Sequence, residues 1–230
     1  MYSHCKNFRG GVNLEVKVMR NILGENEKIA EENRKFFRDK KVFVLNLMGS
    51  PGSGKTTLLE KSLFRLTKNV RVAVIEGDLF TARDAERIER QGVPVVQINT
   101  AGGCHLDAPM VRKAAESLNL DEIDLLIVEN VGNLVCPAEF DIGENMKAVV
   151  LSITEGDDKP LKYPLIFKES AVCVLNKIDL LPFTNFNLEQ AREDLMTIHP
   201  QIEIFETSCT KEIGTYNWCE FLLETVDKLK

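Results

Sequence analysis

The sequence has few of the features that place a protein in a membrane, outside the cell or on a nucleic acid. Its longest strongly apolar runs, such as Leu125-Leu126-Ile127-Val128, have the length of a strand and fall far short of the ~18 residues of a membrane span. The first six residues lack the apolar stretch of a signal peptide. Lys and Arg number 29 against 35 Asp and Glu, and the net charge of −6 argues against a general nucleic-acid binder. We therefore expect a soluble, cytoplasmic protein with neither nucleic-acid nor membrane partners.

A disulfide framework is also not expected. The six cysteines are widely scattered, no Cys-x-x-Cys pair occurs, and the chain carries no secretory signal. These cysteines are better interpreted as reduced thiols or metal ligands. The length of 230 residues is sufficient for one domain with its own core and a small appendage.

The appendage is predicted at residues 1–38, as an N-terminal arm followed by a helix. Apolar residues alternate with polar ones at Val12, Leu14, Val16 and Val18, which favours a short strand or an extended arm. From about Met19 the spacing of apolar residues becomes helical. Residues 39–230 form the second predicted unit, which carries all the motifs described below.

Strands and helices alternate through this second unit, which predicts a mostly parallel sheet with helices on both faces. Strands are predicted at 42–48, 70–76, 93–97, 124–129, 148–152, 171–176 and 203–206, and helices at 54–67, 82–91, 108–118, 188–198 and 216–230. Ligands of such sheets bind at the carboxyl ends of the strands. The motifs that carry chemistry all follow predicted strands.

The first motif is a phosphate-binding loop. Gly49-Ser50-Pro51-Gly52-Ser53-Gly54-Lys55-Thr56 matches G-x-x-x-x-G-K-[ST] between a strand and a helix, and Thr57 follows it. Glycines let successive backbone N–H groups converge on an anion, and the helix N-terminus adds a partial positive charge. Lys55 is predicted to reach the β- and γ-phosphates and Thr56 to ligate Mg²⁺. The fold class is therefore a three-layer α/β/α P-loop NTPase.

A second motif selects the base. Asn176, Lys177 and Asp179 form N-K-x-D at the end of a later strand, where a carboxylate can accept the N–H pair that guanine presents and adenine lacks. Unpaired buried polar groups would then disfavour adenine. Ser208 and Cys209, after the last strand, are predicted to belong to a loop that closes over the base.

Acidic residues are predicted near the phosphates. Asp78 ends the second strand and Glu129 ends the strand before Gly132, so carboxylates and the Thr56 hydroxyl could form an oxygen-rich Mg²⁺ site. Lys55, Asp78 and Glu129 are the predicted catalytic residues, while Gly132 is a candidate for contact with the γ-phosphate. A helix N-cap is an alternative role for Asp78.

A third group of residues has the chemistry of a metal site. Cys104-His105 precedes a helix and Cys136 follows the segment that ends with Gly132. Thiolate and imidazole suit Zn²⁺ or Ni²⁺, and three ligands leave positions for water or for a second chain. A buried free cysteine is the alternative interpretation.

Together these motifs resemble the HypB family, GTPases that help to insert nickel into [NiFe]-hydrogenase. The urease nickel GTPases are similar in the nucleotide motifs, but the Cys-His pair followed by a distal Cys-Pro resembles the hydrogenase branch more. The resemblance runs from about Ile22 to the C-terminus. Its specific segments are 49–57, 76–78, 102–107, 129–137, 154–160 and 176–179.

The resemblance implies a GTP-dependent homodimer of the signal-recognition/MinD-like P-loop class. It also implies a Ni²⁺ or Zn²⁺ site at the dimer interface from Cys104, His105 and Cys136 of both subunits, and Lys159 as a contact to the other subunit. Implied partners are a HypA-type nickel chaperone, docked by the N-terminal segment, and the hydrogenase large-subunit precursor. Many bacterial members of the family have N-termini rich in cysteine or histidine. This chain differs, because His4 and Cys5 are the only such residues near its N-terminus.

Several alternatives remain open at this point. No glutamine follows Gly132, where many GTPases keep the residue that positions water, so slow intrinsic GTP hydrolysis is predicted. A GTPase chaperone for another metalloenzyme such as urease, with a structural zinc, is one competing function. A P-loop small-molecule kinase and a scaffold without turnover are the others.

Overall fold

A seven-stranded parallel sheet forms the centre of the protein. The computed structural model describes the backbone of residues 11–78 and 83–228, and the side chains of residues 23–78 and 84–228. The strand order is β3-β2-β4-β1-β5-β6-β7, and every adjacent pair is parallel. The strands are β1 Phe43–Gly49, β2 Val72–Asp78, β3 Val95–Asn99, β4 Leu125–Glu129, β5 Met146–Ser152, β6 Val172–Asn176 and β7 Glu203–Thr207.

Helices cover both faces of the sheet, which confirms the predicted three-layer α/β/α class. They are α1 Gly11–Asp39, α2 Lys55–Leu66, α3 Arg83–Glu89, α4 Ala108–Ala115, α5 Cys136–Glu139, α6 Lys159–Lys162, α7 Pro164–Glu169, α8 Leu188–Ile198 and α9 Thr215–Asp227. Helix α2 packs against α9, α1 against α4, and α7 against both α5 and α8. No helix in the described ranges is long and apolar enough to cross a membrane.

The central strand β1 is buried on both faces, as its apolar sequence predicts. Phe43, Leu45 and Leu47 pack in the core beneath α2 and α9, whereas Val44 joins the core beneath α4 on the other face. This burial fixes the end of β1, where the phosphate-binding loop begins, in the middle of the sheet.

The predicted strand or extended arm at Val12–Val18 is wrong, because helix α1 already begins at Gly11. In the sequence, Val12 and Val16, like Leu14 and Val18, are also spaced four residues apart, which is compatible with a helix. No proline interrupts residues 11–39, so the helix continues unbroken to Asp39. His4 and Cys5 lie outside the described residues.

Two asparagines of α1 hold it to the body of the protein. The Asn26 side chain accepts a hydrogen bond from the Ala108 N–H (2.8 Å), and Asn33 donates to the Ala108 carbonyl (2.9 Å). Both asparagines are buried. Helix α1 is therefore anchored directly at the first residue of α4, immediately after the Cys104-His105 pair.

Candidate nucleotide and metal sites

The phosphate-binding loop connects the end of β1 to the start of α2. Gly54 caps α2 in a left-handed conformation (φ 99°), and a Cβ there would lie 2.4 Å from the Asn176 Nδ2. Only glycine fits this position without displacing Asn176. The Lys55 ammonium is buried and donates to the carbonyls of Gly49 (3.4 Å) and Ser50 (3.3 Å). The predicted phosphate ligands are thus brought together around one concave backbone turn.

The predicted base-reading residues lie beside this loop. Asn176 donates to the Ser53 carbonyl (3.0 Å), and Lys177 donates to the Gly52 carbonyl (2.7 Å). Asp179 accepts hydrogen bonds from the Ser208 hydroxyl and the Thr210 hydroxyl. These contacts set the Asp179 carboxylate at the side of the loop where a base would lie.

Cys209, which was predicted to belong to a loop that closes over the base, has its side chain in the core. It is buried, and its thiol contacts the Asn176 carbonyl oxygen (3.5 Å). Thr207 donates to the same oxygen (3.1 Å). Cys209 therefore contacts Asn176 from the side of the core.

A cleft of about 410 Å³ opens over the loop and extends to the acidic residues. Its walls combine loop residues, the ends of β2 and β4, and side chains of α3. They include Gly52, Gly54, Lys55, Thr56, Thr57, Glu76, Asp78, Asp84, Arg87, Glu129, Gly132 and Lys177. Arg87, which the sequence analysis did not single out, donates to Thr57 (3.2 Å) and pairs with Glu60.

Two buried glutamates lie side by side at the back of the cleft. Glu76 and Glu129 are paired in register on β2 and β4, and Glu129 accepts a hydrogen bond from the Thr56 hydroxyl (2.7 Å). Among the described residues, the Oε2 atoms of both are buried without a hydrogen-bond partner. Burial and the neighbouring Glu129 raise the pKa of Glu76 to about 11, and burial also raises the pKa of Glu129.

These orphaned oxygens fit a hard divalent cation. Buried carboxylates without partners are costly, and Mg²⁺ prefers oxygen ligands beside phosphate. Thr56, Asp78 and Glu129 were predicted for this role, and all three line the cleft. Glu76 was not predicted as a ligand. An acidic residue within the otherwise apolar part of a strand was the signal in the sequence that could have identified it.

We expect Glu76→Gln to stabilise the nucleotide-free, magnesium-free protein more at pH 8 than at pH 5. Because the folded pKa is raised, stability is full below the unfolded value and falls as pH rises toward about 11. Glutamine cannot ionise, and its amide can donate to Glu129. Thermal unfolding should show a rise in Tm of about 2–4 °C for each kcal/mol that protonation of Glu76 on folding costs the unaltered protein.

The control for this prediction is Glu169→Gln, an exposed glutamate at the end of α7. Its Tm should change little at either pH. An equal shift in Tm for Glu76→Gln at both pH values would show that titration of Glu76 does not contribute to the stability of the protein.

The predicted metal residues converge at the neighbouring edge. One ligand atom from each of Cys104, His105 and Cys136 lies within 4.8 Å of the others. The Cys104 Sγ lies 2.9 Å from the Cys136 Sγ and 3.6 Å from the His105 Nδ1. Cys136 begins α5, and the His105 ring stacks on Phe140 with centroids 3.7 Å apart.

The electrostatics of this cluster suit a cation. Burial lowers the pKa of His105, so its imidazole is neutral at pH 7 and keeps a lone pair for a metal. The contact with Cys104 and burial raise the pKa of Cys136, because two adjacent thiolates repel each other. A divalent cation relieves that repulsion and favours deprotonation of both thiols. Cys173 and Cys219, by contrast, are buried in the core.

The parallel sheet, the P-loop and the N-K-x-D segment define a P-loop GTPase fold. The signal recognition particle receptor FtsY from Elizabethkingia anophelis shares this fold alone, at a TM-score of 0.54 and 16% identity, over 93% of this chain and 81% of that one. Residues 43–206 match the family described as "CobW/HypB/UreG, nucleotide-binding domain".

Two further proteins are much more similar. Hydrogenase maturation factor HypB of Escherichia coli K12 is 51% identical over 91% of this chain and 71% of its own length. The crystal structure of HypB from Helicobacter pylori in complex with nickel superposes with a TM-score of 0.85 and 40% identity, over 89% of this chain and 96% of that one. The chain belongs to the CobW/HypB/UreG family of P-loop GTPases, and within it to the HypB hydrogenase maturation factors.

The family predicted from the sequence motifs is thereby confirmed. The competing predictions of a urease chaperone and a small-molecule kinase are not favoured by these relatives. The roles assigned to individual residues stay predictions, and they are developed below.

Proposed function

We propose that the chain is a GTP-hydrolysing nickel carrier that assists insertion of nickel into [NiFe]-hydrogenase. One observation carries this proposal: the Cys104, His105 and Cys136 cluster borders the segment that runs from Glu129 past the phosphate-binding loop. The relationship to HypB, including the H. pylori protein in complex with nickel, supports the same function. Nickel is the cargo in this scheme, and Zn²⁺ is the alternative ion for the same ligands.

Phosphate transfer in the cleft depends on position and charge. Lys55 and the N–H groups of the loop hold the phosphates, while Thr56 and Glu129, with Asp78, hold Mg²⁺. The cation neutralises charge that develops on the phosphate oxygens. Gly132 lies close against the phosphate-binding loop, since a Cβ at this position would lie 2.9 Å from the Pro51 nitrogen, and its N–H would contact the γ-phosphate.

Intrinsic hydrolysis is slow in this proposal. Asn133, rather than a glutamine, follows Gly132, and its side chain is already engaged with the Cys104 carbonyl (3.3 Å) and the Val135 N–H (2.8 Å). Neither contact leaves it directed at a water beside the γ-phosphate. Turnover therefore depends on a second subunit or partner.

A GTP-dependent homodimer is supported by the surface around Cys136. Val135, Leu161 and Leu165 are exposed apolar residues at 47%, 59% and 41% exposure, and the short helices near them pack together. Lys159 begins α6 in this region, where its ammonium lies 5.5 Å from the Tyr163 ring centre. Burying this face against a second copy would bring two sets of three metal ligands together, with Lys159 reaching the other subunit.

The remaining partners follow from the delivery of nickel. A HypA-type chaperone would supply nickel and dock on the N-terminal segment, residues 1–38, which is distinct from the GTPase domain of residues 39–230. The hydrogenase large-subunit precursor would receive it, in the cytoplasm. His4 and Cys5 have no assigned role in this scheme.

Nickel titration tests the proposal. Ni²⁺ and, separately, Zn²⁺ are added to the protein with GDP or with a non-hydrolysable GTP analogue, and thiolate-to-nickel absorption is recorded together with molecular mass. We expect nickel binding that depends on the nucleotide, and its loss in Cys104→Ser and in Cys136→Ser. The matched control is Cys173→Ser, a core cysteine. Nickel binding that ignores both nucleotide and the two ligand cysteines would overturn the proposal.

A further inference from the structure

The segment after β4, residues 129–136, runs past both sites, and we call it the switch segment. Its backbone is tied to the phosphate-binding loop, because the Asn133 N–H donates to the Gly49 carbonyl (3.0 Å). It begins with Glu129 beside Thr56 and ends with the metal ligand Cys136. Any shift of this segment on exchange of GTP for GDP therefore moves one metal ligand directly.

Two asparagines of the switch segment also reach the loop that carries the other two ligands. We call residues 104–107 the metal loop. The Asn130 side-chain oxygen accepts a hydrogen bond from the Leu106 N–H (3.0 Å), and Asn133 donates to the Cys104 carbonyl (3.3 Å). Asn130 is buried, whereas Asn133 is half-buried. Both ends of the Cys104–Leu106 backbone are thus held by the switch segment.

The orientation of the Asn130 amide is set by a chain of buried polar groups. The Asn46 amide donates to Glu144 (3.3 Å), which leaves the Asn46 oxygen to accept from the Asn130 Nδ2 (3.2 Å). The Asn130 oxygen then faces both Leu106 and its own neighbour Val131, whose N–H also donates to it (3.0 Å). One oxygen atom therefore joins the backbone of the switch segment to that of the metal loop.

The C-terminal end of the metal loop is held by helix α1. Ala108, the next residue, is bonded through its N–H to Asn26 and through its carbonyl to Asn33, both on α1. Among the described residues, neither of these asparagines is hydrogen-bonded to the switch segment. A displaced switch segment would therefore shift Cys104 and His105 while Ala108 stays anchored.

We propose that Asn130 is the positioning residue through which the nucleotide state of the cleft reaches Cys104 and His105. The proposal rests on the nickel-carrier function above and names the atoms that would couple its two sites. Because coupling between binding sites is reciprocal, nickel must alter nucleotide affinity by the same factor through the same contact. Asn133 is the second, weaker link of the same kind.

Two matched variants, Asn130→Ala and Asn26→Ala, test this role. Each removes a buried asparagine oxygen that accepts one N–H of the same short stretch, at Leu106 or at Ala108. Only Asn130 belongs to the switch segment. The readout is the ratio of nickel Kd values measured with GDP and with a non-hydrolysable GTP analogue. Circular dichroism melting verifies that both variants fold.

We expect the unaltered chain to show a ratio of about tenfold, within the usual range of allosteric coupling. In Asn130→Ala the ratio should fall by at least about threefold, because the contact that moves Cys104 and His105 is lost while Cys136 still moves with the switch segment. Asn26→Ala should keep the original ratio, with any loss of nickel affinity equal for both nucleotides. The effect of nickel on the affinity for the GTP analogue should change in parallel.

Two results would overturn this inference and leave the proposed function standing. One is an unchanged ratio of nickel Kd values in Asn130→Ala. The other is a ratio that falls equally in Asn26→Ala, which would indicate general loosening of the metal loop. If Asn130→Ala fails to fold, Asn130→Ser takes its place, because the shorter side chain draws the oxygen back from the Leu106 N–H, which lies 3.0 Å from it in the unaltered chain. An unchanged ratio in Asn130→Ser has the same meaning. Nickel binding by the unaltered chain that does not need Cys104 and Cys136 would instead overturn the proposed function, and the inference with it.

Discussion

GTP hydrolysis by the Lys55→Ala protein is expected to be at least about a hundredfold slower than by the unaltered chain, since loss of one preorganised donor to developing charge costs about 10²–10³ in rate. Lys55 is 7% exposed at the base of the cleft and is its innermost cation. Its contacts with the Gly49 and Ser50 carbonyls are long, at 3.4 and 3.3 Å, so they are readily exchanged for phosphate oxygens. Single-turnover phosphate release at saturating GTP measures the effect.

The control for this prediction is Lys61→Ala on the same helix. Lys61 is exposed and pairs with Glu212 at 2.8 Å, away from the cleft. Removing it should leave the rate within about twofold, as surface ion pairs contribute little. Equal rates for Lys55→Ala and the unaltered chain would show that phosphate transfer does not take place at this loop.

The second large effect is expected where the guanine base is predicted to bind. Asp179→Asn should weaken GTP binding by about three orders of magnitude and make xanthosine triphosphate the better ligand, since sites built for hydrogen bonds reject mismatched analogues by 10⁴–10⁵ at best. The Asp179 carboxylate is predicted to accept from two N–H groups of guanine, whereas an asparagine amide presents one acceptor and one donor. Xanthine carries an oxygen where guanine has its amino group, so it complements the variant.

Competition of unlabelled GTP and xanthosine triphosphate against a fluorescent nucleotide measures this switch. Ser208 and Thr210 hold the Asp179 side chain in place, and their hydroxyls can donate to an asparagine oxygen as well. Asp194→Asn, a half-buried position on α8, is the control and should keep the preference for GTP. Retention of tight GTP binding by Asp179→Asn would remove the N-K-x-D segment from base recognition.

Much of the fold could be predicted because local signals and the final environment agree. The apolar sequence of β1 predicts a strand that is buried on both faces, and the structure buries it on both faces. The phosphate-binding loop follows at its end. Motifs at strand ends necessarily meet in a parallel sheet, which is why Cys104, His105 and Cys136 converge despite their separation in sequence.

The parts that could not be predicted depend on long-range pairing. Whether Glu76 or Asp78 faces Glu129 is decided by the register of β2 on β4, which pairs Glu76 with Glu129 directly. The contact between Asn46 and Asn130 likewise exists only once β1 and β4 are adjacent. The prediction for the start of α1 was wrong for a local reason. Alternation of apolar and polar residues over four apolar positions is also compatible with a helix.

The strand order has a consequence for redesign of the protein. β1 lies between two groups of residues: those predicted to read the base follow β6 and β7, whereas the predicted metal ligands follow β3 and β4. The switch segment is the part of the second group that also lines the nucleotide cleft, through Asn130, Val131 and Gly132. We therefore expect that replacing only Cys104, His105 and Cys136 would change the ion that is bound, while the predicted guanine contacts on the other side of β1 stay intact.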